Sequence, residues 1–462
     1  MRVLLAGLLT GGLLAAVTTP GQARPESPSP ASSPRAGSTL TARLAPPVVT
    51  TGEPAAIVAQ LPTAQAGRPL SVERRRDNGS WAPFAEAVGN ATGRTAVPLD
   101  TAAPGPQVLR VVAAAWNGKR TLTSPAVTLR VLTTESCTPR VALVDPGATT
   151  AARCLAARLD RWRSAGLMGV GQQLNMSNDQ YAAPLTALGA RRVNVVGFDL
   201  WELGKTKRYE FPFYDRALAD LVALAQDGAV LTASWHTANP QTGQSYDDRS
   251  WRDLGALLRD TPAAAAFWAD YDEQLTVLAE LQAAGVAVVF RPMHEANGDW
   301  FWWGRPAPAT FKAVWARMQE RAWAAGVHNV VWAYSFAAAS RAGIAAPEKL
   351  LPAAVDLAGI DSYWPSTGSH RASKAPSRAP SMAGYAVVAR RVPRMAVTEI
   401  GPHADPQGRW KASLVTSVAR AQKKKPVWAL LWVDDAAGRK QISSLSGGLA
   451  WLDSCPNGLC VL

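Results

Sequence analysis

From about residue 140 onward the chain alternates short apolar runs with longer stretches of helical periodicity, and it does so eight times. The runs are 166–172, 192–200, 229–237, 287–295, 329–336, 357–364, 395–401 and 427–434. Most are apolar at nearly every position, as strands buried on both faces should be. Helical patterns lie between them, among them 214–225, 268–284, 309–325 and 410–423. Eight such units over roughly 320 residues predict an α/β fold, a closed (β/α)8 TIM barrel. An open, doubly wound sheet is the alternative. It fits less well, because no glycine-rich phosphate loop follows the first run and polar residues recur at the C-terminal ends of the runs. In a closed barrel that end is the one that carries chemistry.

A barrel leaves much of a 462-residue chain to explain. Residues 1–23 read as a secretory signal: Arg2 at the start, a short apolar core from Val3 to Val17, and small residues at Gly21-Gln22-Ala23 for cleavage. The apolar core is short and broken by glycines, and no later segment reads as a membrane span. Residues 24–38 form a Pro/Ser-rich linker with nothing to build a core. From 39 to 133 short strand-like runs alternate with turn signals such as Asp77-Asn78-Gly79-Ser80 and Asn117-Gly118. That spacing predicts a small all-β, immunoglobulin-like sandwich ahead of a barrel domain spanning 140–462. Trp81 and Trp116 are the only tryptophans of this region, and packing or plain exposure suits them better than ligand stacking.

Four cysteines, Cys137, Cys154, Cys455 and Cys460, fit an extracellular, oxidising compartment. They allow three pairings, among which the sequence does not choose; the local pairs Cys137–Cys154 and Cys455–Cys460 are favoured. No CxxC occurs, and none of the five histidines is spaced from another as a metal site requires, so neither metal nor other cofactor is expected. The net charge is +13, yet its short runs, Arg74-Arg75-Arg76 and Lys423-Lys424-Lys425, read as solvated faces. No basic helix interleaved with aromatics points to nucleic acid. The charge leaves loose attraction to an anionic cell wall open. A single chain is expected to act as a monomer.

The ends of the apolar runs hold the informative residues. The third run ends in Ser234-Trp235-His236, the fourth in His294-Glu295, the sixth in Asp361-Ser362-Tyr363-Trp364, and the seventh in Thr398-Glu399-Ile400-Gly401. The eighth carries Trp428 and Trp432, then Asp434 and Asp435. Each feature alone has an ordinary explanation. A carboxylate at a strand end commonly serves an ion pair, and Arg291 offers Glu295 such a partner. Convergence on one face of one barrel is what the ordinary explanations leave out. Two carboxylates, Glu295 and Glu399, stand three strands apart. That is what glycoside hydrolysis needs: an acid for the leaving oxygen and a second carboxylate at the anomeric carbon. The tryptophans after Glu295 have faces wide enough to stack on a sugar ring.

The run Arg291-Pro292-Met293-His294-Glu295-Ala296-Asn297-Gly298-Asp299-Trp300-Phe301-Trp302-Trp303-Gly304 is similar to the acid/base strand of glycoside hydrolase family 26, whose members are mostly β-mannanases. The resemblance covers about 140–440. It implies Glu295 as acid/base and Glu399 as nucleophile. It implies His294 as the histidine beside the acid/base, Tyr363 as the hydrogen-bond partner of the nucleophile, and Asp361 as a polar sugar contact. His236 matches the histidine of the −1 region, Trp300 a tryptophan near the acid/base, and Trp432 a sugar platform. The chain departs from the pattern after Trp432. Members commonly carry Arg-Asn there, and this chain has Val433-Asp434.

The expected activity is therefore retaining, endo-acting cleavage of β-1,4-mannosidic bonds in a polysaccharide by a secreted enzyme. The ionised Glu399 is expected to raise the pKa of Glu295. β-1,3-Xylan and mixed-linkage β-glucan are alternative substrates on the same scaffold. A non-catalytic carbohydrate-binding protein is the alternative of another class, and the presence of both glutamates argues against it.

Overall fold

The structure is a computed structural model that describes residues 39–62, 65–339, 343–365 and 377–462. The predicted signal 1–23 and linker 24–38 lie outside the described residues. Among the described residues nine strands precede the barrel: β1 (Thr41–Ala45), β2 (Val48–Thr50), β3 (Ala56–Gln60), β4 (Pro69–Arg75), β5 (Trp81–Val88), β6 (Arg94–Pro98), β7 (Gly105–Ala113), β8 (Leu122–Thr123) and β9 (Val127–Leu132). They form two sheets, β1-β3-β6 and β2-β9-β7-β4-β5, with β8 paired to β7. Leu70, Val72, Leu109, Val111, Leu129 and Val131 point into the space between them and meet Leu44, Ile57, Ala59 and Val97 from the smaller sheet. The apolar runs of β3, β4, β7 and β9 are visible in the sequence. β1, β5 and β6 are not, because much of each is polar or exposed and the buried alternation is short, and β2, though buried, is only three residues long.

The eight barrel strands are β10 (Leu167–Gln173), β11 (Val195–Asp199), β12 (Val230–Trp235), β13 (Val288–Pro292), β14 (Val330–Ala337), β15 (Leu357–Trp364), β16 (Met395–Pro402) and β17 (Trp428–Leu431). All neighbours are parallel, and β10 pairs with both β17 and β11, which closes the ring. A short strand, β18 (Leu459–Val461), adds antiparallel to the start of β10. Burial on both faces makes the strand runs continuous in apolar residues, as read in the sequence.

Two expected strands end early. β13 stops at Pro292, so His294 and Glu295 belong to the turn that follows. β17 stops at Leu431, so Trp432 lies beyond it. The helix expected over 410–423 covers only Leu414–Ala421, because Asp405 accepts from the Trp410 backbone N–H (2.7 Å) and holds that segment in a loop.

The helix α1 (Thr150–Ser164) lies against the N-terminal mouth of the barrel. Leu155, Ala156, Leu159 and Trp162 share one apolar cluster with Val195, Val230, Val289, Val331 and Leu357 at or near the strand starts. The sandwich meets this end too. Glu53, after β2, accepts from Arg153 Nη2 (2.6 Å) and Thr150 Oγ1 (2.8 Å) of α1. Pro47 and Val48 press on Gly285 at a turn ahead of β13, where a Cβ would come within 2.8 Å of Val48. The opposite end, at the strand C-termini, is left to the cleft. The cysteines pair as Cys137–Cys154 and Cys455–Cys460.

Candidate active site

A cleft of about 790 Å³ opens at the C-terminal ends of the barrel strands. All eight side chains singled out in the sequence line it: His236, His294, Glu295, Trp300, Asp361, Tyr363, Glu399 and Trp432.

The segment after β13 is built to present Glu295. Met293 and Glu295 both adopt left-handed backbone, with φ of 49° and 56°. For non-glycine residues this costs about 1–3 kcal/mol each, so neighbouring structure must hold it. Asn297 is the holder. It is fully buried, donates to Ala337 O (2.8 Å) and Ala345 O (3.2 Å), and accepts from Ala337 N (2.9 Å). The Glu295 backbone N–H donates to Ser335 O of β14 (3.0 Å). Trp300 then folds back over Gly298 and donates from Nε1 to Glu295 Oε2 (2.6 Å). A Cβ at Gly298 would stand 2.3 Å from the Trp300 ring, so glycine is required there for the indole to reach the carboxylate.

The tryptophans of this segment divide. Trp300 is partly exposed in the cleft, whereas Trp302 and Trp303 are buried in the core and donate to backbone oxygens of Thr237 and His294. They fill space under the loop and offer no face to a ligand, contrary to the sequence expectation for the run as a whole.

Glu399, on β16, is 5% exposed. It accepts from Arg291 Nη2 (3.0 Å) and from Tyr363 Oη (2.8 Å). Arg291 is thus the partner of Glu399 and not of Glu295, as the ordinary reading of that arginine supposed. It lies under the cleft floor, with Asp361 Oδ2 at 3.6 Å and Ser335 Oγ at 3.3 Å. Ser335 donates to Asp361 Oδ2 (2.7 Å). Oxygens of Glu295, Asp361 and Glu399 all lie within 4.8 Å of one another. Such a set could hold a cation, but the buried Arg291 guanidinium already places a fixed positive charge among them.

Crowded carboxyls cannot all ionise. Burial, then the charges of Asp361 and of Glu399, push Glu295 well above the ordinary carboxylate range. Asp361 therefore contributes alongside the expected Glu399. Burial and Glu399 also push Asp361 up, to about 7. Burial and the same neighbouring carboxylates hold the Tyr363 phenol well above its usual value, so it stays a hydrogen-bond donor.

The two histidines differ. His236 follows β12, and its Nδ1 shares a hydrogen bond with Asp199 Oδ2 (2.7 Å). Burial opposes its charge, but the Asp199 carboxylate outweighs burial and the imidazole is raised above its usual value. The Nδ1 of His294 has no hydrogen-bond partner among the described residues. Burial and the charge of His236 hold it well below the usual range.

Several lining residues were not visible in the sequence. Asp199 ends β11, and a polar residue at the end of the second apolar run was a usable signal. Glu202 and Tyr246 come from a helix and a loop that no strand-end pattern marks. Asp435 and Lys440 reach the cleft as an ion pair from the loop after Trp432. Asp434, beside them, turns away. It accepts from Lys440 N (2.7 Å), Gln441 N (3.0 Å) and Ser444 Oγ (2.7 Å), which organises that loop.

Residues 144–448 match the sequence model of Glycosyl hydrolase family 26. The chain is 27% identical over 245 residues to a mannan endo-1,4-beta-mannosidase of Bacillus subtilis (strain 168), covering 49% of this chain and 62% of that one. It is 28% identical over 237 residues to mannan endo-1,4-beta-mannosidase A and B of Caldalkalibacillus mannanilyticus, covering 46% and 42%. Both matches span less than two thirds of the relative's own length. In fold, the chain is similar to a mannanase of Bacillus subtilis, with a TM-score of 0.54 and 20% identity over 67% of this chain and 92% of that one. Since the family match takes in the whole segment that carries the barrel and its cleft, the chain belongs to glycosyl hydrolase family 26.

Proposed function

We propose that the chain is a secreted, retaining endo-glycoside hydrolase of β-1,4-mannans. The observation that carries this reading is the placement of Glu295 and Glu399: both line one cleft, their oxygens lie within 4.8 Å of each other, and their surroundings differ. That closeness suits direct attack and leaves no room for a water between them, which retaining enzymes require. A Glu399 oxygen attacks the anomeric carbon while the protonated Glu295 gives its proton to the leaving glycosidic oxygen. A glycosyl-enzyme forms. Glu295, now a carboxylate, takes a proton from water, whose oxygen displaces Glu399 with a second inversion. The proton held on Glu295 by burial and by its acidic neighbours is the one the first step consumes.

Mannan as substrate is supported by the names of the two relatives. The two disulfides support an oxidising compartment. No helix among the described residues is long and apolar enough to cross a membrane.

Purified protein offered glucomannan, galactomannan, β-1,3-xylan and lichenan should release reducing sugar from the mannans first. Release from none of them would leave the non-catalytic reading in place. Glu399→Ala and Glu295→Ala should each lower turnover by at least about 10³-fold with the fold intact, and azide should rescue Glu399→Ala with inverted product. Near-normal turnover of Glu399→Ala would remove it as nucleophile.

A further inference from the structure

Asp199 plays no part in the reaction above, yet it is one of the most heavily bonded carboxylates near the cleft. It is the last residue of β11, in register with Ser234 of β12. It is 2% exposed. Its Oδ1 accepts from the backbone N–H of Trp201 (3.0 Å) and Glu202 (3.4 Å), at the start of helix Leu200–Arg208. Its Oδ2 accepts from Ser234 Oγ (2.8 Å), His236 N (3.2 Å) and His236 Nδ1 (2.7 Å). Trp201, Glu202 and His236 reach it through backbone N–H groups, which can only donate, so both oxygens accept as those of an ionised acid do, and the proton between Oδ2 and His236 Nδ1 then belongs to the imidazole.

That fixes the ring of His236. Nδ1 carries a proton toward Asp199, and Nε2, on the far edge, is the nitrogen left for a ligand in the cleft. The ring is 15% exposed and wedged at 4.5 Å from His294, 4.6 Å from Tyr246, 5.6 Å from Phe301 and 6.1 Å from Trp432. The titratable and charged groups facing it are Asp199 and Glu202 from the β11 side, Glu399 from β16, His294 from the turn after β13, and Tyr246 from the loop after β12. The carboxylates favour charge on His236, and Tyr246 adds none while its phenol stays protonated. Two imidazolium rings at 4.5 Å would repel, and only one of them has an acid at its back. The Nδ1 of His294 is buried with no hydrogen-bond partner among the described residues.

We propose that Asp199 is a positioning residue: it keeps His236 an imidazolium with Nε2–H turned into the cleft, where that N–H donates to a hydroxyl of the sugar bonded to Glu399. The inference rests on the proposed glycosidase function and adds to it the charge state of one contact. A charged donor gives a shorter and stronger bond to a hydroxyl than a neutral one. The shifts run the same way: His236 up, and Asp199 below its ordinary range, where burial is outweighed by His236.

Two measurements test this. In ¹⁵N-labelled wild-type protein, with the His236 signals assigned through His236→Gln, His236 should be doubly protonated at pH 7 and lose its proton above the ordinary histidine range near 6.5. A neutral His236 at pH 7 would overturn the proposal, whatever the protein hydrolyses. This arm needs no variant of Asp199 and no activity, so it stands apart from the test of function. In the second arm, Asp199→Asn should lower kcat/KM on mannan by about 10- to 100-fold at pH 7, the scale of one hydrogen bond to a charged group. The loss should shrink toward low pH, below the ordinary histidine range, because His236 then charges without Asp199. A loss of the same factor at every pH would mean that Asp199 only supports the fold, and would also overturn the proposal.

Discussion

At Asp361 opposed effects meet within one side chain. Burial and Glu399 hold its proton on, while Arg291 and the hydroxyls of Thr398 and Ser335 favour losing it, and the balance lies at about 7. Beside it Glu295 is pushed higher still by burial, by Asp361 and by Glu399. The sign for catalysis follows. In the proposed reaction the acid works while protonated, so activity should be lost as pH rises through the raised pKa of Glu295, later than an ordinary carboxylic acid would allow. Asp361→Asn removes a charge that opposes ionisation of Glu295. The alkaline limb of the kcat/KM profile should therefore move to lower pH, by about one unit. A limb that stays in place while kcat falls would reduce Asp361 to a sugar contact.

At the scale of an element, the turn after β13 turns an apolar strand into a presented acid. Two left-handed residues, a buried asparagine and one glycine do this. Gly298→Ala tests the device with a single methyl group. The new Cβ would overlap the Trp300 ring. The indole must then swing away and give up its bond to Glu295. Turnover should fall by roughly tenfold or more, as expected when a positioning hydrogen bond to the acid is lost. Thermal stability should change little, because Trp300 is partly exposed. Asn297→Ala should behave the opposite way. It strips partners from buried backbone groups at the end of β14 and should cost about 2–3 kcal/mol of stability, read as a lower midpoint in urea. If both variants lost stability equally, the division of labour between the two residues would be wrong.

At the scale of the molecule, the sandwich and the cleft lie at opposite ends of the barrel. α1 closes the N-terminal mouth, and Glu53 of the sandwich bonds to α1. Among the described residues, none before Gln173 lines the cleft. A chain beginning at Glu135 keeps Cys137 and its partner Cys154 on α1. It should keep its kcat on soluble mannan and lose a few degrees of Tm, since the ion pair that it gives up is half-exposed and worth about 0.2–1 kcal/mol. Any functional loss should fall on insoluble polymer, where a linked domain raises local concentration. A folded but inactive barrel would show that the sandwich shapes the cleft from a distance.

Periodicity along the chain determined the architecture. Strands buried on both faces must be continuously apolar, and that pattern survives in a linear string. Local composition likewise carried the segment 291–304, some of whose residues act on one another across a few positions: Gly298 against Trp300, and Trp300 against Glu295. What the string did not hold is anything decided by which strands become neighbours. Arg291 meets Glu399 across 108 positions, and Asp199 meets His236 across 37. Arg291 could not be assigned a partner until β13 was seen to place it under the floor beneath β16. Trp300 and Trp303 stand three residues apart with the same side chain. One faces the cleft and the other the core, because burial is a property of the space around a residue and not of the residue itself. Only the closed ring brings three carboxyls within 4.8 Å, and that crowding raises the proton affinity of Glu295 and Asp361.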